Sequence, residues 1–145
     1  MTTSHTADIE DVEAASLSFY TALSVLDDGT RMEAVWANTP YVTYVGPSST
    51  SIIVGWDAQK RYWKSFNTEF VSCQVAITDA HVHVVGNLAW QIGLEVGHAL
   101  MRDGTTRNID WVVTNVFEKI DGRWLMVSHH AQPRPLAQPK FDDAR

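Results

Sequence analysis

The sequence predicts an α+β fold, with three helices in the first half of the chain and a long antiparallel meander in the second. Three observations lead there. Apolar residues recur at near-helical spacing between Asp8 and Leu26. From Cys73 onward the pattern changes to period-two alternation. That second region is cut at Gly86-Asn87, Asp103-Gly104 and Asp121-Gly122, turn residues placed where hairpins need them.

The first helix is expected over Asp8 to Leu26, carrying Ile9, Val12, Leu17, Phe19, Tyr20 and Leu23 on its apolar side. Asp8, Glu10, Asp11 and Glu13 crowd its first turn, where the helix dipole favours negative charge. Asp27-Asp28-Gly29 ends it. A short helix over Thr30 to Ala37 presents Met32, Val35 and Trp36, and Asn38-Thr39-Pro40 closes it because the residue before a proline leaves the helical region. Strands follow over Tyr41 to Val45 and Ser51 to Val54. A third helix with Asp57 as N-cap carries Tyr62, Trp63 and Phe66. The meander then runs over Gln74 to Val85, Leu88 to Arg102, Thr105 to Ile120 and Arg123 to Ala131.

The chain of 145 residues suits one domain, expected over 1–132, with 133–145 as an extended or disordered tail; Gln132 to Arg145 holds three of the five prolines. A net charge of −6 and no basic run longer than Lys60-Arg61 argue against nucleic acid or anionic lipid as a partner. The single Cys73 rules out an internal disulfide and a cysteine-based zinc site, and fits a reducing cytoplasm. No secretory signal is expected in Met1 to Asp8, and no apolar run reaches the roughly 18 residues of a membrane span.

Register decides which polar residues face the core. In Leu88 to Arg102 one face carries Leu88, Trp90, Ile92, Leu94, Val96, His98 and Leu100, and the other Gln91, Glu95 and two glycines. The apolar face is expected to look toward the helices. In Thr105 to Ile120 the inward set is Ile109, Trp111, Val113, Asn115 and Phe117. A two-residue turn at Asp103-Gly104 pairs Ile92 with Asn115 and Val96 with Trp111. The same turn at Asp121-Gly122 pairs Asn115 with Ser128, Val113 with His130 and Phe117 with Met126. Asn115, Ser128, His130 and His98 then lie in an apolar concavity. A glycine bulge at either turn slips the register by one and turns His129 inward instead; the unbulged register is preferred. His98 falls about 13 Å from His130 along the strands, too far to share a metal ion. No metal site and no cofactor are expected.

Trp36-Ala37-Asn38, Gly55-Trp56-Asp57, Ala89-Trp90, Thr114-Asn115-Val116-Phe117, Asp121-Gly122-Arg123-Trp124 and His129-His130-Ala131, in this order of elements, resemble a SnoaL-like domain of the nuclear transport factor 2-like superfamily. The resemblance covers roughly Glu10 to Pro133, and its most specific part is the Asp-Gly-Arg-Trp to His-His ending. It implies a cone-shaped barrel, a strongly curved and mainly antiparallel sheet around helices, with a pocket at the wide end and a homodimer through the outer sheet face. Related activities range from isomerases, polyketide cyclases, epoxide hydrolases and dehydratases to non-catalytic transport and association domains, so the fold leaves the reaction open.

The departures narrow the choice. Ketosteroid isomerases carry a carboxylate base on the strand after the second helix, whereas no Asp or Glu occurs here from Asn38 to Trp56, and Tyr44 falls near the base position. The Asp-Arg-Asp set of limonene-type epoxide hydrolases would need Asp110 to turn inward, against its alternation. SnoaL-type cyclases carry an acid near the end of a late strand, where this chain has His130 or His129.

His130 is therefore the expected base or acid, its pKa lowered by an apolar cavity, with the structural alternative of a histidine capping the last strand. Asn115 and Tyr44 would polarise a carbonyl, unless Asn115 is spent on Ser128. The expected binding wall comprises Tyr20, Trp36, Trp63, Ile92, His98, Trp111, Val113, Ser128 and His129, although large aromatics equally fill cores and dimer faces. Glu95 and Gln91, sharing a face with Val112 and Val116, read as residues of a dimer interface, since a sheet apolar on both sides needs a second cover. The expected function is a cofactor-free cyclase, isomerase or dehydratase acting on a small hydrophobic molecule. A non-catalytic ligand-binding or dimeric assembly module is the alternative.

Overall fold

A computed structural model describes residues 2–135. Of the tail expected over 133–145, residues 136–145 lie outside that range.

Helix α1, Thr2–Val25, begins earlier than the acidic first turn suggested. It buries Val12, Ser16, Phe19, Tyr20 and Leu23, a stripe at three- and four-residue spacing, against the sheet. Leu17, expected on this stripe, is exposed. Asp8 Oδ1 accepts from Trp124 Nε1 at 3.1 Å and from Lys119 Nζ at 3.0 Å, which ties α1 to the last hairpin.

Helix α2, Thr30–Val35, ends two residues before the expected Ala37. Its C-terminus is set by β-pairing: Trp36 bridges Met126, and Ala37 N donates to Met126 O at 3.0 Å. Strands β1, Thr43–Val45, and β2, Ile53–Val54, are shorter than expected. In α3, Trp56–Phe66, Gly55 rather than Asp57 is the N-cap, and Asp57 sits in the first turn. Gly55 adopts φ 88°, and a Cβ there would lie 3.3 Å from Pro40 O. Trp56, Gln59 and Trp63 are the buried residues of α3.

Strands β3, Phe70–Val85, β4, Leu88–Met101, β5, Thr106–Ile120, and β6, Arg123–Pro133, form the expected meander. The last strand runs through Pro133, the first residue of the expected tail. The six strands are ordered β2-β1-β6-β5-β4-β3, antiparallel except where β1 runs parallel to β6. The sheet curls around α1 and α3 without closing, and β2 and β3 are its edges. Close approach of β3 and β4 requires Gly97, where a Cβ would stand 1.8 Å from Gln74 O.

Two one-residue slips separate the structure from the expected register. At Asp121-Gly122 the two-residue turn forms as expected, both residues at positive φ, and Phe117 faces Met126. At Asp103-Gly104 the loop has three residues: Leu100 pairs with Thr106, Met101 N donates to Thr105 O at 2.8 Å, and Gly104 takes φ 88°. Gln91, not Ile92, therefore faces Asn115. The second slip lies inside β6, where Phe117 pairs with Met126 but Val116 pairs with Ser128, leaving Val127 as a bulge. It sits where the other edge of β6 changes partner from Trp36 and Ala37 to β1.

These slips invert several expectations, because side chains alternate with period two. The inner face of β4 carries Ala89, Gln91, Glu95 and Ala99, all buried. Leu88, Trp90, Ile92 and His98 lie on the outside and are exposed. In β6, His129 is buried and His130 exposed, while Ser128 turns outward and its Oγ lies 2.7 Å from Thr43 Oγ1. The expected Asn115–Ser128 pair does not form.

Candidate active site

The concave side of the sheet holds a cavity of about 80 Å³, room for several water-sized groups. Aromatic and aliphatic side chains line it, among them Phe19, Tyr44, Tyr62, Phe66, Phe70 and Trp111. Gly46 to Ser49, Glu69 and Arg107 border it. Glu95 of β4, His129 of β6 and the Cys73 thiol of β3 also line it from the sheet floor.

Glu95 sits opposite Trp111 in the ladder and is 1% exposed. Its Oε1 has no hydrogen-bond partner among the described residues. Burial pushes the carboxyl up from its ordinary 4.5 to about 7, opposed by the nearby Tyr20 hydroxyl, which favours the charged form without making a well-formed hydrogen bond. A buried carboxyl lacking a cation is poised near neutrality, the property required of a proton donor and acceptor at that pH.

His129 is 3% exposed, and its Nδ1 lies 2.7 Å from Asn115 Oδ1. Burial, with a small contribution from His130, pushes its pKa down to about 3, so the imidazole is neutral at ordinary pH. Tyr44 stacks on it with centroids 5.2 Å apart and an 11° tilt, and Phe19 packs at 4.9 Å. Desolvation raises the pKa of Tyr44 well above the usual range for a phenol, so its hydroxyl stays protonated.

Of the residues singled out by sequence, Tyr44, Trp111 and His129 line the cavity together. Asn115 stands behind His129. Trp36 and Trp63, expected in the wall, are buried behind it and pack on Phe19 and Tyr44. Val113 is buried in the core, and Tyr20 lines a separate groove between α1, β3 and β4. His130, Ile92, His98 and Ser128 lie on the outer face, away from the cavity. Among the described residues, no group of three or more His, Cys, Asp or Glu is gathered to hold a metal ion.

Glu95 was missed because its strand was read with the wrong face inward. One sequence signal pointed to it. The face of β4 bearing Glu95 is otherwise built from the small residues Ala89, Gly93, Gly97 and Ala99 and the polar Gln91, an unusual composition for an outward face.

A sequence profile of the SnoaL-like domain matches residues 12–133. The chain belongs to this SnoaL-like family. No curated protein sequence matches it. Among solved structures, the SnoaL-like fold recurs in a proposed dehydratase of the NTF2-like family from Streptomyces avermitilis, at 25% identity and TM-score 0.80, with 92% of this chain and 99% of that one covered. A proposed scytalone dehydratase from Novosphingobium aromaticivorans superposes with TM-score 0.82 at 12% identity, covering 97% and 100% of the two chains. A proposed calcium/calmodulin-dependent kinase II association domain from Thiobacillus denitrificans gives TM-score 0.70 at 25% identity, covering 85% and 94%. Chains of this shape are thus assigned both to catalysis and to assembly. No helix among its described residues is long and apolar enough to cross a membrane.

Proposed function

We propose that this SnoaL-like protein is a cofactor-free enzyme of the isomerase, cyclase or dehydratase type, in which Glu95 transfers the proton. The observation that carries the reading is the Glu95 carboxyl, its Oε1 without a hydrogen-bond partner among the described residues, buried in an aromatic-lined cavity and poised near pH 7. As carboxylate it removes a proton from a carbon beside a carbonyl. As acid it returns that proton to another carbon, for isomerisation, or to a departing hydroxyl, which leaves as water. Tyr44 supplies a hydrogen bond to the oxygen on which charge develops. This places proton transfer on Glu95 instead of His130, whose ring lies on the opposite side of the sheet. The substrate is a small, largely apolar molecule.

The test is solvent deuterium exchange into the α-positions of a panel of small aromatic ketones, followed by proton NMR. The wild-type protein accelerates exchange for at least one member, and Glu95→Gln does not. Equal exchange by the two proteins, or none by either across the panel, refutes the assignment.

A homodimer through the outer sheet face accompanies this reading. Leu88, Trp90 and Ile92, 50%, 41% and 45% exposed, alternate along the outer face of β4 as an apolar row that a second copy could cover. A lone buried cysteine accords with a cytoplasmic location.

A further inference from the structure

One ring nitrogen of His129 is committed and the other is free, and the commitment dictates where the proton sits. Asn115 turns its amide hydrogens away from the ring: Nδ2 donates to the Tyr20 hydroxyl at 3.1 Å and to Gln91 Oε1 at 3.2 Å. Gln91 Oε1 also accepts from Ser16 Oγ of α1 at 2.7 Å. Asn115 Oδ1 is left as the acceptor facing His129 Nδ1, so Nδ1 carries the hydrogen and Nε2 carries a lone pair. Nε2 has no hydrogen bond among the described residues, and the ring lines the cavity. Tyr44 and Phe19 pack on the ring and hold its plane.

We propose that His129 Nε2 is a fixed hydrogen-bond acceptor for a substrate hydroxyl, kept in that tautomer by Ser16, Gln91 and Asn115, and that this cavity therefore takes hydroxylated ligands. The inference rests on the same cavity being the ligand site and adds the substrate class. Ser16, Gln91 and Asn115 are positioning residues, since none of them lines the cavity. The buried ring does not charge near neutral pH, so with the hydrogen on Nδ1 its Nε2 accepts and does not donate. A carbonyl or ether oxygen at Nε2 meets a lone pair with no hydrogen between them. A site built to bond a hydroxyl rejects the analogue lacking it, because its buried polar atom is left unpaired.

The experiment is long-range proton–nitrogen NMR on the full chain labelled with ¹⁵N-histidine, with phenol and anisole as probes, the second carrying a methyl in place of the hydroxyl hydrogen. Expected are a protonated Nδ1 and an unprotonated Nε2 in the free protein. Phenol should shift the Nε2 signal and bind about tenfold tighter than anisole, equivalent to about 1.4 kcal/mol. Gln91→Leu, or the milder Ser16→Ala should the first fail to fold, is expected to admit the Nε2–H tautomer. A protonated Nε2 in the wild type overturns the proposal, as does phenol perturbing Nε2 no more than anisole. An unchanged tautomer in a folded variant overturns the positioning role. Glu95→Gln removes deuterium exchange but keeps the Nδ1–H tautomer, so loss of the Glu95 chemistry and loss of this inference read out separately.

Discussion

Gln91 lies directly opposite Asn115 on the β4–β5 ladder and accepts a 3.2 Å hydrogen bond from its amide. That pairing carries a polar chain from α1 to His129 and brings Glu95, four residues along β4, onto the cavity side. Moved by one residue, Asn115 would face Ile92 and Glu95 would point to the outside.

Removing the hub of this chain leaves several buried groups unpaired at once. Asn115→Leu strips the acceptor from His129 Nδ1 and the donor from the Tyr20 hydroxyl, and leaves Gln91 Oε1 with Ser16 alone. Each unsatisfied group costs about 1–3 kcal/mol, so urea denaturation should show a loss of roughly 3 kcal/mol or more. A loss below about 1 kcal/mol would mean the chain is not formed.

Stability should depend on pH through two opposed groups. Glu95 has its folded pKa raised from 4.5 to about 7, so its protonated form is favoured by folding. Its contribution is complete below pH 4.5 and is lost as pH rises toward 7. His129 is depressed from 6.5 to about 3, so its contribution is complete above pH 6.5 and is lost as pH falls toward 3. Between 4.5 and 6.5 the two slopes cancel. Glu95→Gln should abolish that plateau, giving stability that rises with pH across it, and should be more stable than wild type at pH 8 by up to about 3 kcal/mol. Denaturation midpoints at pH 4.5, 6.5 and 8 measure this directly.

The catalytic reading predicts a rate that rises with pH and levels off above about 7, as Glu95 ionises. Glu95→Gln should lower deuterium exchange by a factor of about 10²–10⁴, the usual contribution of a general base. A pH-independent wild-type rate would count against Glu95.

The two adjacent histidines should respond differently. His130→Ala alters an exposed outer-face ring and should leave exchange unchanged, with stability within about 0.5 kcal/mol. His129→Ala opens a cavity against Phe19 and Tyr44 and should cost about 3 kcal/mol. Thermal scans of the two variants, recorded side by side, make the comparison.

On the outer face, Ile92→Lys or Trp90→Lys should convert a dimer to a monomer without loss of the folded signal, read by light scattering behind size exclusion. A wild-type monomer would dismiss the interface.

Much of the molecule was legible in the residues. Helical spacing gave α1, and Asp121-Gly122 gave the last hairpin with its Phe117–Met126 pair. Alternation along β5 put Asn115 and Trp111 on the inner face, where they lie. Two parities could be settled only by the tertiary structure: which side of β4 faces inward, and which of His129 and His130 does. Period-two alternation is blind to a one-residue slip, and both faces of β4 alternate cleanly. The two slips, at Gly104 and at Val127, are local backbone adjustments of modest cost. What selects them is remote in sequence: α1 offers Ser16 and Tyr20 to Gln91 and Asn115, and Trp36 and β1 take successive segments of the edge of β6. The chain's own alphabet determined its fold and family, and long-range packing decided which polar groups reached the cavity.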